Sequence, residues 1–147
     1  MYCRYGDKMT TEINLENVNL KNSDLYGADL SDADLESANL AGMALVCVNL
    51  ENANLKNANL SNAYLSDADL SRADLSGANL SGANLSGTYL YDTDLSGANL
   101  TGANLKRANL SGTRTTLKGA DLTDANLYGT DLSDADLESA NFSASDF

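Results

Sequence analysis

The chain has no tryptophan, no proline and no histidine, and aromatic residues make up only 6% of its 147 positions. Without histidine, no side chain titrates near neutrality at its ordinary pKa, so the usual general base is missing. No apolar run approaches the roughly 18 residues a membrane-spanning helix needs. The opening residues MYCRYGDKMTTE carry no apolar core of a secretory leader. A cytoplasmic location without a membrane partner is therefore expected, although a processed exported chain would look the same. The two cysteines, Cys3 and Cys47, follow no metal-ligand spacing. Two free thiols in a reducing compartment are the expectation.

Positive charge is also scarce. Nine lysines and arginines stand against 21 aspartates and glutamates, a formal net charge of −12. Such a balance disfavours nucleic acid and anionic membranes as partners. The length suits one compact domain.

What is present is a repeat. All 25 leucines share one series of five-residue steps, from Leu15 to Leu110 and again from Leu117 to Leu137, and Phe142 and Phe147 continue it. Two residues before each leucine stands a small residue, usually alanine, with Thr88, Thr93 and Thr130 as variants. Ile13, Val18, Met43 and Val48 fill that register near the amino end. A regular helix would spread leucines five apart around every face. A continuous strand would alternate them between two faces. A chain that bends once per repeat keeps leucine and its small partner inward throughout. Glycine, asparagine or aspartate occupies 20 of the 26 positions two after a leucine. These residues tolerate the left-handed backbone of tight turns. Asparagine or aspartate usually precedes the leucine as well, able to bond the adjacent backbone.

Stretches such as ADLSDADLESANL and SGANLSGANL resemble the pentapeptide-repeat family, whose motif is A(D/N)LXX. The resemblance covers residues 13–147. It implies an all-β fold, a right-handed quadrilateral β-helix with four pentads per coil and nearly seven coils, preceded by a capping segment at residues 1–12. The chain offers its own check on coil length. YGADLSDADLESANL at 26–40 recurs as YGTDLSDADLESANF at 128–142. That separation is five coils of twenty plus a surplus of two. Asn19, Asn39, Asn59, Asn79 and Asn99 also recur at twenty-residue intervals, which suits an amide ladder along one wall.

The surplus lies in ANLSGTRTTLKGADL, where Leu110 and Leu117 are seven apart. Ser111 and Gly112 repeat the usual corner, so Thr113 and Arg114 are the two-residue insertion. One coil below, the same corner holds Tyr91 and Asp92, with Tyr89 beside them. Tyrosine and arginine commonly anchor protein interfaces. Tyr89, Tyr91, Asp92, Thr113 and Arg114 are therefore the candidate partner-binding patch, the alternative being an insertion that the turn simply absorbs. Phe142 and Phe147 either plug the carboxyl end of the solenoid or pair it end to end with a second copy, leaving monomer and homodimer both open.

No enzyme, cofactor or metal is expected. Neither cysteine has a visible activating partner, and carboxylate pairs such as Asp32 with Asp34 follow from the repeat alone. Asp34, Asp74, Asp94 and Asp136 are expected on one wall without converging oxygens. The glycine-rich stretches are corners, not phosphate loops, because no helix follows them. The functional expectation is a non-catalytic scaffold presenting a surface to a protein partner. Some members of the resembled family protect DNA gyrase from quinolones as acidic rods, so gyrase binding by DNA mimicry is the alternative. Charge counts against it. A rod of roughly 30 Å matches a duplex bearing about 18 phosphates, and this chain's net charge falls about a third short. Residues 95–120 contain no acid and carry Lys106, Arg107, Arg114 and Lys118.

Overall fold

The computed structural model describes residues 25–147. The capping segment expected at 1–12 and the first pentads lie outside the described residues. From Leu25 onward every repeat except the one after Leu110 does the same thing. The backbone turns over the two residues after leucine, and the N–H of the third donates to the leucine carbonyl, as from Ala58 to Leu55 at 3.0 Å. Only the second turn residue has positive φ, from +55° to +70° outside the inserted corner. Such a turn, closed by that bond, is type II.

This backbone requirement holds even where the residue type argues against it. The six corners without glycine, asparagine or aspartate are Ser37, Cys47, Arg72, Arg107, Ser139 and Ala144, and all six adopt positive φ. Burying the next leucine and keeping the ladder outweigh the roughly 1–2 kcal/mol that this conformation costs an L-residue.

The residue before each leucine forms a parallel bridge with its counterpart one coil on, twenty residues away as Asn59 is from Asn79, or twenty-two where the insertion intervenes. Three hydrogen bonds per pentad tie the coils together. Leu55 and Asn57 donate to Asp74 and Ser76 above, while Asn59 donates to Ala38 below, at 2.7, 3.0 and 2.9 Å. Four such pentads make one coil and give four walls. Wall 1 runs through Asp29, Asn49, Asp69, Tyr89, Asn109 and Asp131. Wall 2 holds Asp34, Asn54, Asp74, Asp94, Thr116 and Asp136. Wall 3 begins at Asn39 and ends at Asn141, and wall 4 begins at Ala44 and ends at Asp146.

Inside, leucines from Leu35 to Leu127 are buried together with their small partners. Threonines in the small position bury a hydroxyl, which needs an acceptor. Thr88 donates to the Leu85 carbonyl, Thr93 to Leu70 and Thr115 to Ser111, at 2.7, 2.8 and 2.8 Å. No buried side-chain polar atom among the described residues lacks a partner. Among the described residues, no helix is long and apolar enough to cross a membrane.

Cys47 sits at a buried corner, and Cys3 lies outside the described residues. One expectation needs correction. The asparagines of wall 3 do stack, but among Asn39, Asn59, Asn79 and Asn99 an amide hydrogen bond between rungs occurs only from Asn59 to Asn39, at 3.4 Å, and Asn141 adds one to Asp121 at 3.2 Å. Their side-chain oxygens serve the turn instead. Asn59, Asn79 and Asn99 each accept the N–H two residues on, at 3.1, 3.1 and 3.0 Å. A bond within one's own turn fixes fewer groups than a bond to another coil, and here it wins.

Candidate protein-interaction surface

The insertion lengthens one step of the ladder on each wall. Asp94, Asn99, Asn104 and Asn109 bridge Thr116, Asp121, Asn126 and Asp131, twenty-two residues on, and Thr116 then bridges Asp136 at the normal twenty. Gly112 keeps its ladder bond to Ser133 at 3.1 Å, but the turn is closed from Thr115 to Gly112, not to Leu110. The turn has therefore moved two residues along, onto Thr113 and Arg114, both exposed. Gly112 takes φ +116°, unlike every other corner. A Cβ there would meet Asp92 Oδ1 at 2.5 Å and Tyr91 Cε2 at 2.9 Å. The Tyr91 ring thus lies against the bare Gly112 backbone. Asp92 Oδ1 accepts the Arg114 N–H at 3.2 Å, holding the base of the bulge.

The structure brings the five candidate residues together at the corner of walls 1 and 2. Tyr91 and Asp92 form that corner one coil below the bulge, and Tyr89 stands beside them on wall 1 between Asp69 and Asn109. Tyr89 and Tyr91 remain 54% and 44% exposed. Phe142 and Phe147 also meet, with ring centroids 5.9 Å apart, and Phe147 is 68% exposed.

The four bases at 106–118 do not converge. Lys106 and Arg107 sit at the corner of walls 4 and 1, Arg114 at that of walls 1 and 2, and Lys118 at that of walls 2 and 3. Lys106 lies 5.4 Å from the centroid of the Tyr128 ring, and Lys118 pairs with Glu138 at 2.7 Å.

Acids, by contrast, crowd two adjoining walls. Asp29, Asp69 and Asp131 lie on wall 1, and Asp34, Asp74, Asp94 and Asp136 on wall 2, the last four as the repeat spacing led us to expect. The corner between adds Asp32, Glu51, Asp92 and Asp134. Against these eleven carboxylates stand Arg72 and Arg114, a net of −9. Arg72 is itself committed to Glu51 and Asn52. Walls 3 and 4 with their shared corner hold only Asp121, Asp124 and Asp146, and no base. Reading acids along the chain missed this one-sidedness, whereas writing the chain in rows of twenty displays it. Hydrogen bonds from the Thr123 hydroxyl and backbone N–H hold the Asp121 carboxyl below its ordinary range, and the Ser133 N–H and hydroxyl do the same for Asp131. No group of three or more histidine, cysteine or acidic side chains among the described residues is placed to hold a metal ion.

The pentad geometry and the comparisons agree on a class. The chain matches the Pentapeptide repeats family over residues 13–52, 45–82, 78–114 and 113–147, and it belongs to that family. Among solved structures it is similar to HetL, a pentapeptide repeat protein involved in heterocyst differentiation regulation from the cyanobacterium Nostoc sp. strain PCC 7120. The identity is 28%, with 95% of this chain and 91% of that one covered and a TM-score of 0.41. It is similar to Rfr23 from the cyanobacterium Cyanothece 51142 at 26% identity, with 92% and 82% covered and a TM-score of 0.49. QnrB1, a plasmid-mediated fluoroquinolone resistance protein, shares the fold at 18% identity, with 84% and 68% covered and a TM-score of 0.50. No curated protein matches the chain.

Proposed function

We propose that this pentapeptide-repeat chain is a non-catalytic scaffold, a right-handed four-sided β-helix of nearly seven coils that presents a rigid surface to a protein partner. The observation that carries this reading is the one enlarged corner, where Tyr89, Tyr91, Asp92, Thr113 and Arg114 meet with both tyrosine rings exposed. Rigid aromatics and an arginine on a fixed frame form contacts at small entropic cost. The test is partner capture from the native cell with the Tyr91→Ala, Arg114→Glu double variant. A partner held by the native protein and lost by the folded variant supports the patch, and unchanged capture overturns it.

Binding of DNA gyrase as an acidic rod is the second reading. The net −9 gathered on two walls favours it, while the similarity to QnrB1 extends to the fold alone. Titrating the protein into a gyrase supercoiling assay, with and without a quinolone, tests it, and no effect at a large excess removes it. The carboxyl-terminal coil with Phe142 and Phe147 belongs to the scaffold reading as either a plug or an end-to-end homodimer contact. Sedimentation of Phe147→Ser against the native chain separates the two. A cytoplasmic location is part of the same reading and implies free thiols, since cytosolic thiols are kept reduced. Thiol titration of protein from its own cell decides the point.

A further inference from the structure

We propose that walls 1 and 2 and the corner between them are the docking face, and that the occupant is a protein segment rich in lysine and arginine. This rests on the scaffold reading and names the chemistry of its partner. At physiological ionic strength, charges are screened over about 8 Å. An approaching partner therefore responds to the wall it touches rather than to the net charge of the whole chain. On walls 1 and 2 it meets the net −9, whereas walls 3 and 4 carry no charge at all from Asn39 to Asn104.

The side chains on this face add two further demands. Tyr89 and Tyr91 stand exposed in its middle and supply apolar contact area that carboxylates cannot. Arg114 projects from the same corner beside them, and its backbone is fixed by Asp92. A basic partner must therefore place one acidic or neutral residue opposite Arg114, which orients it along the edge. Phosphate-bearing ligands are repelled by the same carboxylates, so the occupant is a protein and not a nucleic acid.

The probe is a fluorescently labelled peptide of alternating lysine and serine, about ten residues long, which spans the roughly 30 Å edge at ~3.3 Å per residue. Binding is read by anisotropy at low and near-physiological salt. Two triple variants change the net charge equally. Asp69→Asn, Asp74→Asn and Asp94→Asn neutralise the docking face, and Asp121→Asn, Asp124→Asn and Asp146→Asn neutralise the opposite side. Asparagine keeps the turn acceptor, as Asn49, Asn54 and Asn109 do on the same walls. The first variant is expected to weaken binding about tenfold, as three exposed ion pairs allow, and the second less than about twofold. Equal weakening in both, or no binding by the native chain, overturns the proposal. If the native cell's partner is captured with no dependence on these charges, the scaffold reading stands and this inference falls.

Discussion

Replacing Gly112 with alanine separates two effects that glycine corners usually combine, the backbone conformation and the space beside it. Gly97 supplies the control. Its φ is +64° and a Cβ there would meet nothing within 4 Å, so Gly97→Ala reports the conformational cost alone. That cost is about 1 kcal/mol, since Ala144 already adopts φ +56° in the native chain. At Gly112 the backbone is at φ +116°, and the new Cβ would fall 2.5 Å from Asp92 Oδ1 and 2.9 Å from Tyr91 Cε2. Turning those two side chains away breaks the Asp92 bond to Arg114, worth about 1 kcal/mol. The more distorted backbone adds about 1–3 kcal/mol. Gly112→Ala is then about 3 kcal/mol destabilising. For a chain of this size each kcal/mol moves the midpoint by roughly 3 °C. Differential scanning calorimetry should therefore show losses of roughly 3 °C for Gly97→Ala and roughly 9 °C for Gly112→Ala. Equal losses would mean that the Tyr91 ring and Asp92 are not held against Gly112, and the account of the bulge would be wrong.

Asp92→Ala removes the acceptor for Arg114 and should cost about 1–2 kcal/mol in urea unfolding, while Asp92→Asn keeps the acceptor and should cost less than about 0.5 kcal/mol. Leu75→Ala leaves a cavity in the middle of the stack and should cost about 2–5 kcal/mol by the same measurement. Thr93→Val should cost only about 0.5–1 kcal/mol, because the Leu70 carbonyl still accepts the Ala73 N–H at 3.1 Å. Asp121 and Asp131 have folded pKa values below the ordinary 3.8. Their contribution is therefore present above that value and is lost as pH falls below it. Asp121→Asn with Asp131→Asn should flatten the acid limb of a stability profile, lowering stability at neutrality and leaving it nearly unchanged well below 3.8.

The interior of this fold was legible from the sequence because one period governs it. Leucine in every fifth place with alanine two before it admits no regular helix or strand, and the bridges follow the twenty-residue coil that the copies at 26–40 and 128–142 had implied. The position of the turn residue was legible too, although its chemistry was not. Arg72 and Arg107 carry no local signal for positive φ, and only their place in the ladder imposes it. The wall 3 asparagines misled because equal spacing shows which side chains are neighbours but not which bond each makes. The patch at Tyr91 and Arg114 was found by counting back one coil. The shift of the turn to Gly112 was not, since it depends on which carbonyl the Thr115 N–H reaches.

The one enlarged corner, between Asn109 and Thr116, bears on how such a rod can be addressed. A molecule made of near-identical rungs is translationally degenerate. A ligand reading only the common motif fits as well one rung higher or lower, and its bound state is a mixture of offsets about 4.8 Å apart. A mark that occurs once lifts that degeneracy. The ladder above the bulge regains its twenty-residue rhythm at once, so the mark leaves the frame undistorted. In a protein otherwise written in one repeated word, it gives the rod an origin from which position can be measured.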